Sequence, residues 1–177
     1  SGTTANPKAC VISNRAFIRT ALSLADRYSI TADDIWWCPL PMFHLGGLLF
    51  MTLMFTRAGF YVGMPHFDPE QAFDLVEEHR PTVFYPLFPP ITLAVLDHPR
   101  FAKTNFESVR YVFSVAPADV QRRIQAAFPD AILCSAFGMT ETCGAVAFSL
   151  PDDTIEDRIE TCGPALPGWE IRIVDPA

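Results

Sequence analysis

Between Asn14 and Tyr28 the apolar side chains fall at Phe17, Ile18, Ala21, Leu22, Ala25 and Tyr28. Steps of three and four gather them into one stripe, and Ser13 stands where an N-cap belongs, so the spacing predicts a helix over 14–28. The next stretch, Ile35-Trp36-Trp37-Cys38-Pro39-Leu40-Pro41, has no helical period. It is a short apolar run closed by prolines that cannot continue a ladder, which reads as a strand, and the apolar segment Gly46 to Phe55 behind it reads as a buried helix. Asp68 before Pro69, with Gln71 following, is a helix start whose inner face is Ala72, Phe73, Val76 and His79, and Pro81 ends it.

The same cycle then repeats. Thr82 to Leu87, Arg110 to Val115 and Ala131 to Ala136 read as strands, Ile91 to Leu96 as part of a helix, and Val120, Ile124, Ala127 and Phe128 as the inner face of another. Strands rich in Val, Ile, Phe and Tyr, without polar alternation and separated by helices, predict an α/β fold with a mostly parallel sheet covered on both faces. In such a sheet ligands sit beyond the carboxyl ends of the strands, so residues 39–44, 87–90, 114–117 and 137–141 are expected to face one crevice. The polar segment Pro151 to Glu160 is expected outside that core, and Trp169 to Val174 as a further strand.

Composition narrows the class of partner. The chain has 177 residues, 50% of them hydrophobic, which suits one compact domain. Thirteen Lys and Arg against twenty Asp and Glu leave a net charge of −7, so there is no basic surface for a phosphate backbone and no nucleic-acid partner is expected. The longest strongly apolar stretch, Leu45 to Phe55, falls well short of the roughly twenty residues that a bilayer span needs. Five cysteines (Cys10, Cys38, Cys134, Cys143 and Cys162) form no CxxC pair and are odd in number. They argue against a disulfide framework or a zinc knuckle and fit a cytoplasmic location, and Cys134 and Cys143 are expected to be small buried hydrophobes. The chain opens at Ser1 without Met and stops just after the last expected strand, as a piece cut from a longer protein would. Apolar surface exposed by such a cut is compatible with self-association into a homo-oligomer.

Several segments carry groups with chemical uses. Ser1-Gly2-Thr3-Thr4-Ala5-Asn6-Pro7-Lys8 packs three hydroxyls, a glycine and a lysine into eight positions, a composition that suits an anion, although it is not a Walker loop and also reads as a flexible polar terminus. Phe137-Gly138-Met139-Thr140-Glu141-Thr142 follows an expected strand. There Phe137 can stack on a flat base, Thr140 can hydrogen-bond a phosphate and Glu141 can hold Mg²⁺, a hard cation that takes one or two carboxylates plus substrate phosphates. The plainer reading is a turn with an exposed Glu. His44, in Pro41-Met42-Phe43-His44-Leu45-Gly46-Gly47, either lines a pocket at a strand exit or is a structural histidine. His66, His79 and His98 have no metal-ligand spacing, and no base or cation near Cys134 or Cys143 marks a nucleophile.

Taken together and in order, these segments resemble the adenylate-forming superfamily of acyl-CoA synthetases, peptide-synthetase adenylation domains and luciferases. SGTTANPK resembles its phosphate loop, PMFHLGG the motif with the gating histidine, SVAP the adenine-side turn, FGMTET the motif with the aromatic, Thr and Glu, and GPALPGWEIRIVD the segment that follows. The resemblance implies a partial AMP-binding domain with a phosphate loop over 1–8, an α/β sheet core over 9–150, and a loop and the start of the next subdomain over 151–177. It implies a fatty or aryl carboxylate activated by Mg²⁺-ATP to an acyl-adenylate, with coenzyme A or another thiol as acceptor. Carried over by position, Ser1, Gly2, Thr3, Thr4 and Lys8 hold the ATP phosphates, Ala116, Pro117, Phe137 and Gly138 the adenine side, and Thr140 the α-phosphate. Glu141 holds Mg²⁺, and His44, Ser114, Val115 and Gly138 line the acyl pocket, with Lys8, Thr140 and Glu141 as the catalytic set and His44 moving with thiol entry.

Three departures from the family pattern stand out. Ala5 occupies a usual glycine position, Ser114-Val115 a usual Gly-Gly, and Ser135 a usual Asn or Gln. Val115 is expected to project into the acyl pocket and to disfavour the bulkiest acids. The chain also ends before the family's ribose-binding Asp and its mobile C-terminal domain, so the isolated chain is expected to be inactive. The alternative reading is a non-catalytic nucleotide- or acyl-binding module from a degenerate member. Fifteen Phe and three Trp favour an apolar carboxylate over an amino acid, for whose ammonium group Asp119 is the only nearby acidic partner.

Overall fold

Ser13 caps the first helix as its position suggests, its hydroxyl accepting from the Ala16 N–H at 3.2 Å. The computed structural model describes Asn6 and residues 8–175. After α1 (Asn14–Arg27) come β1 (Ile35–Cys38), α2 (Leu45–Arg57), β2 (Phe60–Gly63), α3 (Pro69–His79), β3 (Val83–Leu87) and α4 (Pro89–Leu96). β4 (Tyr111–Ser114), α5 (Ala118–Ala127), β5 (Ile132–Cys134), β6 (Ala136–Phe137), β7 (Ala147–Phe148) and α6 (Ile155–Glu160) complete the order. The Asp68 carboxylate accepts from Gln71 N–H at 2.9 Å, with Pro69 opening α3.

Strands β2-β1-β3-β4-β5 form one sheet in that order, every neighbouring pair parallel. Because successive side chains alternate across a strand, Trp36, Tyr85 and Phe113 enter the layer beneath α1 and α2, whereas Trp37, Phe84 and Val112 enter the layer beneath α3 and α5. Both faces are thus apolar, which explains why the strands lack polar alternation. At the opposite end of the sheet from the crevice, the buried Asp34 carboxylate ties three strand starts together. It accepts from Arg110 Nε at 3.0 Å and Nη2 at 2.7 Å, Thr82 Oγ1 at 2.6 Å and Thr31 N–H at 2.8 Å. Burial acts to raise the Asp34 pKa, but these donors and the Arg110 charge outweigh it and hold the carboxyl below its ordinary range.

Four features differ from the sequence expectations. Strand β2 was hidden in the sequence because it is a four-residue edge strand with only Val62 buried. The expected strand Ala131 to Ala136 splits at Ser135, where the chain leaves the parallel sheet, and β6 pairs antiparallel with β7. The polar segment 151–160 is not outside the core: it carries α6, which packs on α5 and β5 and buries Arg158 and Ile159. Trp169 to Val174 forms no strand; Ile173 is 95% exposed, and among the described residues no neighbouring strand supplies the ladder partners a strand needs. No helix among the described residues is long and apolar enough to cross a membrane.

Candidate active site

The carboxyl end of β3 turns outward for a reason visible in its sequence. Pro86 has no N–H to give the ladder, the β3–β4 register shifts between Phe84 and Leu87, and Leu87 takes a left-handed φ of 56°. Leu87 O nevertheless accepts from Val115 N–H at 2.7 Å, which anchors the ends of β3 and β4 side by side. Leu87, Phe88 and Val115 therefore form one wall of a cleft of about 310 Å³. The start of α2 forms a second wall with His44, Leu45, Gly46 and Phe50.

His44 is the N-cap of α2. Its Nδ1 accepts from Gly46 N–H at 2.9 Å, which assigns the proton of the neutral ring to Nε2. The ring meets Phe88 edge to face, 6.3 Å between centroids. Glycine is needed at 47 because a Cβ there would lie 2.6 Å from the Pro41 carbonyl oxygen, so a side chain would push α2 off the 40–41 turn.

The third wall is the β6–β7 hairpin, whose tip is the segment Gly138 to Val146. A 3-10 turn over Thr140–Thr142 forms the tip. Thr142 Oγ1 accepts from Met139 N–H at 3.1 Å and Gly144 N–H donates to Met139 O at 2.9 Å, so the turn is locked by its own backbone. Phe137, Gly138, Thr140 and Glu141 all line the cleft, with Phe137 47% exposed. Among the described residues that line the cleft, Glu141 is the one carboxylate, and it also borders a neighbouring hollow shared with Val11, Ser13, Arg19 and Thr20.

The structure thus brings His44, Val115, Phe137, Gly138, Thr140 and Glu141 into one cleft. Ser114 does not line it: the pleat turns its side chain to the opposite face, where it is fully buried, and its carbonyl accepts from Gln121 Nε2 at 3.0 Å. Pro117 is exposed and caps α5, Ala116 is half-buried, and neither lines the cleft; nor does Lys8, which is exposed. Ser1, Gly2, Thr3 and Thr4 lie outside the described residues. Among the cysteines, Cys134 and Cys143 are buried as expected; Cys38 is buried too, Cys10 is half-buried and Cys162 exposed. Desolvation pushes the Cys38 thiol up to about 11 and raises Cys134 and Cys143, so none of the three is a ready thiolate.

A family model described as AMP-binding enzyme matches residues 1–177. The chain belongs to the AMP-binding enzyme family. It is 33% identical to 4-coumarate–CoA ligase 3 of Oryza sativa subsp. japonica, over 99% of this chain and 33% of that protein. It is 31% identical to indoleacetate–CoA ligase of Aromatoleum aromaticum, over 98% of this chain and 34% of that protein. ATP-bound MatB from Rhodopseudomonas palustris superposes with a TM-score of 0.86 at 31% identity, covering 99% of this chain and 34% of the other. The chain therefore spans about a third of the length of the curated relatives it matches.

Within this AMP-binding fold, the residues that sequence reasoning missed are those that hold the site together. Gln121 Nε2 donates to Ser114 O and, at 3.1 Å, to Ser135 Oγ; Ser135 Oγ donates to Arg158 O, and Ser135 N–H to Ser149 Oγ at 3.1 Å. One buried amide thus links the strand end before Val115 to the strand end before Phe137. The signal was present: Gln121 sits three residues before Ile124 and seven before Phe128, on the inner face of α5. Phe50, Tyr85 and Phe148 also line the cleft and had no motif to mark them, whereas Phe88 belongs to the segment 87–90 that was expected there.

Proposed function

We propose that this chain is the nucleotide- and acid-binding portion of an AMP-forming acid–CoA ligase acting on an apolar carboxylic acid. The observation that carries the reading is the convergence of His44, Val115, Phe137, Thr140 and Glu141 on one cleft beyond the carboxyl ends of parallel strands. Single residues of these types have ordinary explanations; five from three separate segments meeting in one cavity do not.

The chemistry follows from the kinds of group present. A carboxylate oxygen of the acid bonds to the α-phosphorus of ATP, the bond from that phosphorus to the bridging oxygen breaks, and pyrophosphate leaves. A thiol sulfur then attacks the acyl carbonyl, and AMP departs with the carboxylate oxygen. Such transfers depend mainly on positioning and on stabilising charge. Thr140 is suited to donate its hydroxyl to an α-phosphate oxygen and Phe137 to pack on the adenine. The N-terminus of α2, with His44 Nε2–H beside it, favours the negative charge of the acid and of the developing mixed anhydride.

Glu141 is suited to hold Mg²⁺. No cluster of three or more metal-ligating side chains occurs among the described residues, as befits an ion that takes one or two carboxylates and substrate phosphates rather than a cage of protein ligands. When bound, Mg²⁺ neutralises charge on the polyphosphate. The hollow on the far side of Glu141 is bordered by Val11 to Ser13, the chain that follows the expected phosphate loop of residues 1–8, which supports assigning the polyphosphate to that side. Lys8 fits there as a phosphate-facing cation, and coenzyme A fits as the acceptor by analogy with the named CoA ligases.

The test is pyrophosphate release with Mg²⁺-ATP by the product of the whole natural reading frame, with hydroxylamine to trap activated acyl groups, across fatty, aryl and amino acids. Release with one class establishes adenylation. A folded product that binds ATP but releases nothing with any acid points instead to a non-catalytic binding module.

A further inference from the structure

The far end of the cleft is shut. Phe50 and Tyr85, both 2% exposed, pack with ring centroids 4.4 Å apart, and Trp36 lies against Phe50 at 4.8 Å. Behind them Phe113 sits 5.1 Å from Trp36 and 5.9 Å from Tyr85, and Phe148 closes the side 6.3 Å from Phe113. Trp36 and Phe113 are completely buried, so among the described residues the five rings form a packed floor to the cleft. The cavity above that floor is about 310 Å³, the small end of the roughly 300–1,000 Å³ range of ligand pockets. Part of it, beside Thr140 and Glu141, is needed for the α-phosphate.

The described lining also carries little charge. Among the described residues that line it, every side chain other than Glu141, at the nucleotide end, and His44 is uncharged. Asp119 is exposed on the first turn of α5 and does not reach the cleft. An ammonium or a second carboxylate on the acid would therefore be desolvated with no partner.

We infer that the acid is a compact monocarboxylate, of the size of one aromatic ring on a short tail, and that Phe50 and Tyr85 are the residues that exclude long chains. This rests on the adenylation reading above. Val115, 41% exposed at the mouth, narrows the entrance, whereas the floor sets the depth.

The experiment is hydroxylamine-trapped pyrophosphate release by the product of the whole natural reading frame, as kcat/KM. The panel holds straight-chain acids of two to sixteen carbons, phenylacetic and phenylpropenoic acids, phenylalanine and succinate. Single-ring acids should lead. Hexadecanoate, phenylalanine and succinate should each fall behind by about 100-fold or more, since one misfitting methylene alone is worth about 10- to 200-fold. Phe50→Ala should raise the ratio of long-chain to aryl kcat/KM by at least about tenfold. If that variant does not fold, Ala136→Leu, at a half-buried lining position, should lower kcat/KM for the best aryl acid by about tenfold or more while changing KM for ATP far less. Equal use of hexadecanoate and phenylpropenoate by the unaltered protein overturns the size limit and leaves adenylation standing. Release with no acid at all overturns the adenylation reading, and the inference with it.

Discussion

Gly138→Ala should cripple the site while leaving the fold nearly intact. Gly138 is not at a positive φ, so its need is for space rather than for backbone freedom. A Cβ built there would stand 2.2 Å from the Gly144 carbonyl oxygen and 2.7 Å from its carbon, all backbone. To reach ordinary contact at 3.4 Å the opposing strand of the hairpin must retreat by about 1.2 Å, and the turn between them carries Thr140 and Glu141. Held in place, such overpacking costs about 1–3 kcal/mol. The exposed hairpin tip relaxes instead, so Tm should fall by no more than about 4 °C. A misplacement of about 1 Å at reacting groups costs about 100-fold in rate, and that is the loss expected in kcat/KM for pyrophosphate release. The assay pairs that rate with a thermal melt of the same preparation. A variant within threefold of the parent rate would refute the claim that the Gly138–Gly144 closure sets the positions of Thr140 and Glu141.

Other expectations follow from specific contacts. Asp34→Ala should destabilise by about 2–3 kcal/mol, below the usual 3–5 for breaking a buried ion pair because Arg110 is partly exposed and can recover water; a chemical denaturation midpoint unchanged by the substitution would contradict this. Because the folded pKa of Asp34 lies below its unfolded value near 3.9, its contribution is fully present above that value and is lost as the pH falls through the folded pKa. The acid-unfolding curve of Asp34→Asn should accordingly be shallower than that of the parent below about pH 4. His44→Ala should lose about 1 kcal/mol of stability with the α2 cap, and His44→Asn, whose side chain can cap, should regain the stability but not the rate; full recovery of rate by Asn would reduce His44 to a cap. Glu141→Gln should raise the Mg²⁺ concentration for half-maximal release by tenfold or so, well beyond any change in acid KM, and an unshifted Mg²⁺ curve would assign the ion elsewhere.

What the sequence revealed, and what it hid, divides along physical lines. The helices and the parallel sheet were readable because the period of the apolar residues and the caps at Ser13 and Asp68 are local signals. Strand β2 was not, because an edge strand with one buried side chain has no pattern to show. The break at Ser135 was invisible for a different reason: leaving the sheet depends on the Gln121, Ser149 and Arg158 contacts, which lie 14 or more residues away. The same holds at the site. Phe137, Thr140 and Glu141 announced themselves by a dense motif, whereas Phe50 and Tyr85 look like any core aromatic until β3 and α2 are packed together. Ser114 was misread because a motif position says nothing about which face of the pleat a side chain takes.

The most direct test of the central claim is the fate of oxygen. A carboxylic acid labelled with ¹⁸O in both carboxyl oxygens is turned over with Mg²⁺-ATP and coenzyme A by the product of the whole natural reading frame, and the nucleotide is examined by mass spectrometry. Attack of the carboxylate on the α-phosphorus requires one ¹⁸O in each AMP formed. Unlabelled AMP, or label in inorganic phosphate with ADP as the product, would show that the cleft does not make an acyl-adenylate.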